Sequence, residues 1–504
     1  MPMKSLIRRL LKVPVVGMLV ASSISGSAVE AQSKNTLRIV YAIEPVNMNP
    51  VKQANSFGNF WEAISEPLVG QDYKFQLTRE GIITSWNQTS PGVWRFTIRP
   101  GLKFTNGEPL NAAAVGFTMT TYRDTVGAPM RAYLLKLVST RAVSKTELEA
   151  TFSEGNLSIP AVLSSVRALP PAYYAQVGHD GFGANPIGSG PYKFKSWTKG
   201  VQLLLERNDD YWGKPAKIKN LAFSFATDGD TRANLLASNA VDFAHPISVQ
   251  RFASLRNKKT TVVAAPDRVQ LSLFMMGNKP QLADIRLREA VVRSIDVEPI
   301  TKIVLLNKGG LPNCSLLLPL LNAPEVPACP KRDLAKARSL TAQFTTPSIT
   351  INYGPARAPA DEAVVQALAA QLREGGFTVK LNPMDYQKMT VDLVTQKLDG
   401  LVFFAISPVF PFPSVYSQGF LTTTSITKNC PMPGLDALQQ QALGAKFYGG
   451  ADRNFKAMEK IGITDGFCML PLYNEIKMWG MSKGIKGFNA PGNNIVKWAD
   501  LSWD

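Results

Sequence analysis

The stretch from Ile349 to Ile406 limits the possible folds more than any other part of the chain. Ile349, Ile351 and Tyr353 alternate with polar residues, as on a strand. Asp361 to Glu374 then carries Val364, Val365, Leu368 and Leu372 at helical spacing, and Gly375-Gly376 ends the helix. Phe377, Val379 and Leu381 return to the two-residue period, Gln387 to Gln396 is helical, and Leu401 to Ile406 is an apolar strand. Strand, helix, strand, helix, strand predicts a parallel sheet, because each crossover helix must cover a sheet face.

The first half has a different pattern. Leu37 to Ala42 reads as a strand. Trp94, Phe96 and Ile98 share one strand face, Pro100-Gly101 and Asn106-Gly107 make turns, and Asn111 can cap a helix running through Val115 and Phe117. After the turn Gly188-Ser-Gly-Pro191, Tyr192 to Phe194 and Val201 to Leu205 read as a hairpin. Leu221 to Phe225 is another strand, and Arg232 to Ser238 a short helix. A mostly β half is therefore joined to an α/β half, and the length calls for two or three domains.

Lys4, Arg8, Arg9 and Lys12 precede a run of apolar and small residues from Val13 to Ile24, and Val29-Glu30-Ala31 puts small residues where a signal peptidase reads. Cleavage before Gln32 is expected, with residues 1–31 a signal peptide; Arg8-Arg9 leaves Sec and twin-arginine export both open. The apolar run is too short for a membrane span of about 20 residues. A soluble periplasmic protein is expected. Removing residues 1–31 takes the net charge from +17 to +14. The bases are dispersed, and with export this argues against nucleic acid as a partner and leaves attraction of an anionic solute.

Four cysteines, Cys314, Cys329, Cys430 and Cys468, remain in an oxidising compartment and allow three pairings. Cys314–Cys329 is favoured because it closes a short Pro-rich loop. No C-x-x-C pair is present and only His179 and His245 could assist, so no metal site is expected. No cofactor is expected either, although haem stays open as a solute. There is no G-x-S-x-G elbow or paired-carboxylate motif, so the chain is not expected to be an enzyme, and a periplasmic hydrolase is a poor fit.

Four collinear stretches carry a resemblance. Residues 94–107 read WRFTIRPGLKFTNG, similar to F-x-L-R-x-G-V-x-F-x-D-G. Pro186 to Tyr192 (PIGSGPY) and Glu206 to Gly213 (ERNDDYWG) are similar to P-x-G-T-G-P-Y and R-N-x-x-Y-W. Asp284 to Asp296 (DIRLREAVVRSID) is similar to D-x-R-V-R-x-A-x-x-x-A-I-D, and Pro471-Leu-Tyr473 and Lys486-Gly-Phe488 fit the ending. Together these resemble the extracellular solute-binding proteins of family 5, the peptide, opine and nickel class serving ATP-binding-cassette importers.

The resemblance implies an α/β, two-lobed periplasmic-binding-protein fold (type II-like) with an extra subdomain inserted in lobe I. Lobe I would span 32–265 and 476–504, with the insertion at about 73–182, and lobe II 266–475. The lobes would close on a small solute and deliver it to an inner-membrane permease, the protein acting as a monomer. An adaptor presenting its ligand to a chemoreceptor would use the same fold and stays open. From the residues alone, Trp94, Phe96, Tyr192, Phe194, Tyr211 and Trp212 read as core, Gly188 and Gly190 as a tight turn, and Asp296 as the cap of a helix beginning near Pro299.

In peptide-binding relatives an Asp follows a strand-ending aromatic by three residues and pairs with the ligand's ammonium group. Here the aromatic is Phe404, but the acid is Ser407. A hydroxyl cannot replace a charge-assisted bond. The resemblance therefore points to an anionic or neutral organic solute, such as an opine, a blocked peptide or a sugar phosphate. Candidate contacts are Asn49, Phe60, Phe404, Ser407, Phe410 and Tyr416.

Overall fold

The alternating apolar stretches become strands close to the expected bounds. A computed structural model describes residues 35–52, 59–316 and 329–504, apart from 356, 359, 424, 426, 431, 433, 446, 447, 493 and 494 and the side chains of 416–418 and 448–450. The expected signal peptide, 1–31, lies outside these residues.

In chain order the strands used below are β1 (Thr36–Tyr41), β2 (Ile83–Ser90), β3 (Val93–Ile98), β4 (Leu137–Ala142), β5 (Glu147–Phe152), β6 (Tyr192–Thr198), β7 (Gln202–Arg207) and β8 (Asn220–Phe225). They continue with β9 (Phe243–His245), β10 (Thr260–Met275), β11 (Gly310–Pro312), β12 (Ser348–Tyr353), β13 (Thr378–Pro383), β14 (Leu401–Ile406) and β15 (Met469–Ser482). Eleven form one sheet in the order β13-β12-β14-β10-β15-β9-β1-β8-β7-β6, with β11 also paired to β15. β2, β3, β5 and β4 form a separate four-stranded sheet.

Two long antiparallel strands, β10 and β15, tie the lobes together. Their Thr260–Pro266 and Ile476–Ser482 halves pair beside β9 in lobe I, and their Gln270–Phe274 and Met469–Asn474 halves pair beside β14 in lobe II. The register breaks between Pro266 and Gln270. Proline cannot donate a ladder hydrogen bond, which suits it to such an irregularity.

The helices form where caps and apolar stripes ask for them. α1 (Ala112–Asp124) starts at Asn111, whose side chain accepts from the Ala114 N–H. α2 (Gly229–Ala237) is capped by Asp228, and α3 (Ile285–Ser294) by Asp284. α4 (Asp361–Glu374) buries Val364, Val365, Leu368 and Leu372 in the core of lobe II, and α5 (Tyr386–Val394) is capped by Asp385. Asp296 caps the short turn Val297–Pro299.

Two local expectations differ from what is found. Gly188 and Gly190 are needed less for turn angles than for a close backbone approach. A Cβ at Gly188 would stand 1.9 Å from the Ile64 carbonyl oxygen, and one at Gly190 2.4 Å from that of Ala63. Tyr211 and Trp212 are only partly buried. Both donate to the Glu66 carboxylate, at 2.6 Å each, so they act as polar clamps as well as packing. The cysteines pair as Cys314–Cys329 and Cys430–Cys468.

Candidate functional site: the cleft between the lobes

β1 runs parallel to β8 and β9 in lobe I, and β12 runs parallel to β13 and β14 in lobe II. In such sheets, ligands collect outside the carboxyl ends of the strands. Here the segments that follow β1, β8 and β9 and the segment that follows β12 line one cleft of about 440 Å³. Lobe I contributes Ala42 after β1, Thr227 to Arg232 after β8, and Pro246 after β9. Lobe II contributes Pro355, Arg357 and Asp361 after β12, and β15 adds Tyr473, Glu475 and Lys477.

A charged network crosses this wall. Arg357 grips Asp361 through a two-point fork, Nε to Oδ2 at 2.8 Å and Nη2 to Oδ1 at 2.7 Å. Its Nη2 also lies 2.7 Å from Glu475 Oε1, and Lys477 donates to the other Glu475 oxygen. Glu475 and Lys477 are two apart on a strand, so they share a face. Burial alone would raise the Glu475 carboxyl, but Arg357 and Lys477 outweigh it and hold the group at about 2.

The crossing adds buried polar groups. Asp267 is fully buried; its Oδ1 accepts from the Arg268 N–H at 2.7 Å, and its Oδ2 has no partner among the described residues. Burial pushes this carboxyl up to about 6, partly countered by Lys477 and Arg268. Arg268 Nε donates to Ser407 Oγ at 3.2 Å, and its guanidinium lies 5.1 Å from the ring centre of Phe75 in lobe I. Tyr41 OH, Gln270 Oε1 and Asn474 Nδ2 are likewise buried without a partner among the described residues.

Away from the crossing the lobes meet again. The Leu157 N–H donates to the Leu443 carbonyl at 2.9 Å, and the Ser165 hydroxyl donates to the Val409 carbonyl. Tyr133 meets Phe410 edge-on with ring centres 4.9 Å apart.

The candidate residues divide into two groups. Phe404, Ser407 and Phe410 stand together at the carboxyl end of β14. Phe404 is stacked on Tyr386 at 5.7 Å, Ser407 is bonded to Arg268, and Phe410 is fully buried against Tyr133. Asn49 and Phe60 lie apart from them inside lobe I. Asn49 Nδ2 donates to the Tyr174 hydroxyl and the His179 carbonyl, and its Oδ1 accepts from the Val51 N–H. Phe60 is core beside Trp61. The Tyr416 side chain lies outside the described residues. Among the described residues, no group of three or more His, Cys, Asp or Glu is placed to hold a metal ion.

Sequence reasoning missed Arg357, Asp361, Glu475, Lys477 and Asp267. The one local signal was the spacing of Arg357 and Asp361, four residues apart at a helix start. Nothing in the sequence joins them to β15.

Residues 78–428 match the model of the bacterial extracellular solute-binding proteins, family 5 (middle). The glutathione-binding protein GsiB of Pectobacterium atrosepticum is 27% identical over 360 residues, covering 68% of this chain and 67% of that one. The substrate-binding protein CtaP of Listeria monocytogenes superposes with a TM-score of 0.83 at 20% identity, covering 93% of this chain and 99% of that one. A dipeptide-binding protein from Pseudoalteromonas sp. SM9913, in complex with Met-Leu, superposes with a TM-score of 0.81 at 18% identity, covering 93% and 100%.

Proposed function

The chain belongs to the family 5 bacterial extracellular solute-binding proteins, receptors of ATP-binding-cassette importers, and from that premise we propose that its cleft captures a small charged organic solute, peptide-like or opine-like, for delivery to a permease. One observation carries this. The carboxyl ends of parallel strands from both lobes converge on a cleft whose wall holds Arg357, Asp361, Glu475 and Lys477. The Arg357 bonds to Asp361 and Glu475 use Nε and Nη2, so Nη1 stands outside that network as a site for a solute carboxylate. GsiB is named for binding glutathione, and the Pseudoalteromonas protein holds Met-Leu; both are small, charged and peptide-like.

The family works in the periplasm or outside the cell, and its members are binding proteins of importers rather than enzymes. To the proposal belong export of this chain with cleavage before Gln32, a monomeric and non-catalytic protein, lobe boundaries near 265 and 475, and contacts from Phe404 and Ser407. Mass spectrometry of the exported protein checks the cleavage.

A thermal-shift screen of residues 32–504 tests the ligand class, using glutathione, free and N-blocked dipeptides, opines and sugar phosphates. A solute at 100 times its Kd adds about 2.7 kcal/mol of stability. Stabilisation by peptide-like or opine-like compounds is expected; a flat response to all of them overturns the proposal.

A further inference from the structure

We propose that Asp267 holds a cationic group of the solute, so that the solute is an amino-bearing molecule and not a purely anionic one; this rests on the cleft being the solute site. Three carboxylates buried among the described residues are bonded through both oxygens. Asp242 takes Arg38 on both, Asp361 takes Arg357 on both, and Glu475 takes Arg357 and Lys477. Asp267, fully buried, differs from these three: its Oδ2 has no donor among the described residues. A buried charged oxygen left in that state is costly, and such an atom calls for a missing partner.

Its position says where the partner comes from. Asp267 sits in the break of the β10–β15 pairing, where one lobe gives way to the other. It lies within electrostatic reach of Lys477 and Glu475, which line the cleft, and of Tyr41 at the carboxyl end of β1. The two nearby cations are committed elsewhere, Lys477 to Glu475 and Arg268 Nε to Ser407. The unpartnered atoms at the crossing include three that accept hydrogen bonds: Asp267 Oδ2, Gln270 Oε1 and Tyr41 OH. A primary ammonium carries three N–H donors and no acceptor, which suits that set. With Arg357 for a carboxylate and Asp267 for an ammonium, the cleft selects a zwitterion. The expectation drawn from Ser407 is thereby reversed: the acid absent after β14 is supplied by β10.

The Asp267 carboxyl, held at about 6 by burial and facing Lys477, Arg268, Glu475 and Tyr41, adds a pH signature. It must be ionised to hold an ammonium, so binding of amino-bearing solutes weakens in mild acid.

The test uses matched pairs, glutathione with N-acetylglutathione and Met-Leu with N-acetyl-Met-Leu. Titration calorimetry follows the wild type, Asp267→Asn and Tyr41→Phe. The free-amino member of a pair is expected to bind the wild type at least about tenfold more tightly than its acetylated partner. Asp267→Asn is expected to abolish that preference without weakening the acetylated member, and Tyr41→Phe to reduce it. Should Asp267→Asn not fold, the wild-type preference between about pH 8 and pH 5 replaces it, and a fall on acidification is expected. Equal binding of both members, a preference kept in Asp267→Asn, or a preference independent of pH overturns the assignment to Asp267 while leaving the cleft as the solute site. Failure of every probe to bind the wild type overturns the cleft reading and this inference with it.

Discussion

Two places where the lobes touch among the described residues have opposite chemistry. At the crossing, β10 and β15 bring Asp267, Arg268, Glu475 and Lys477 together, with Arg357 and Asp361 facing them. At the rim, contact is made by the edge-on rings of Tyr133 and Phe410 and by backbone carbonyls accepting from Leu157 and Ser165. Under the proposed function the crossing is the part that reads the solute, because buried charges discriminate strongly between partners. The rim only latches, because apolar and backbone contacts depend little on what lies between the lobes.

That contrast is most exposed at Arg357. Arg357→Ala leaves Asp361 buried without its cation and Glu475 with Lys477 alone, and a loss of about 3–5 kcal/mol is expected by denaturant titration. Arg357→Lys recovers only part of it, since an ammonium cannot make the fork. Acid should dissolve the same network. Glu475, lowered from 4.5 to about 2, contributes stability that is complete above pH 4.5 and is lost as the pH falls towards 2.

Phe410→Ala tests the latch. Truncating this buried ring is expected to cost about 3 kcal/mol while leaving the preference among bound solutes unchanged. A changed preference would merge the two regions into one.

Asp267→Asn separates stability from binding. The folded carboxyl titrates near 6 and the unfolded one near 3.8, so the folded state binds more protons in that window and its stability falls as the pH rises through it. Removing the charge is therefore expected to stabilise the solute-free protein by about 3 kcal/mol above pH 6, with little gain below pH 3.8, in melts across pH. A destabilised variant at high pH would show that the carboxylate has an internal partner.

Ser165→Ala is the smallest step. It removes one hydroxyl bond to the Val409 carbonyl and is expected to cost about 1 kcal/mol, again without effect on solute preference.

The elements were largely legible in the sequence, because their signals are local. The helix Asp361–Glu374 follows from its apolar stripe, and Asn111 caps its helix as the residue type requires. Three of the six candidate contacts, Phe404, Ser407 and Phe410, lie on or just after the readable strand β14, where the family resemblance pointed. Asn49 looked like a contact because a polar residue near a strand end is indistinguishable from one that ties a loop to Tyr174 and His179 until the partner is seen. Tyr211 and Trp212 looked like core because an aromatic pair does not reveal that a carboxylate, Glu66, waits 145 residues away.

By itself, then, the sequence determined the strands and helices, their caps and turns, and the family, since each is written in residues close together along the chain. The tertiary structure alone decided the charge pattern of the cleft. Arg357 meets Glu475 across 118 positions, and Asp267 Oδ2 has no donor among the described residues where two strands lose register. Whether a buried charge is paired depends on what the fold brings within about 4 Å, and neither residue type nor spacing encodes that distance.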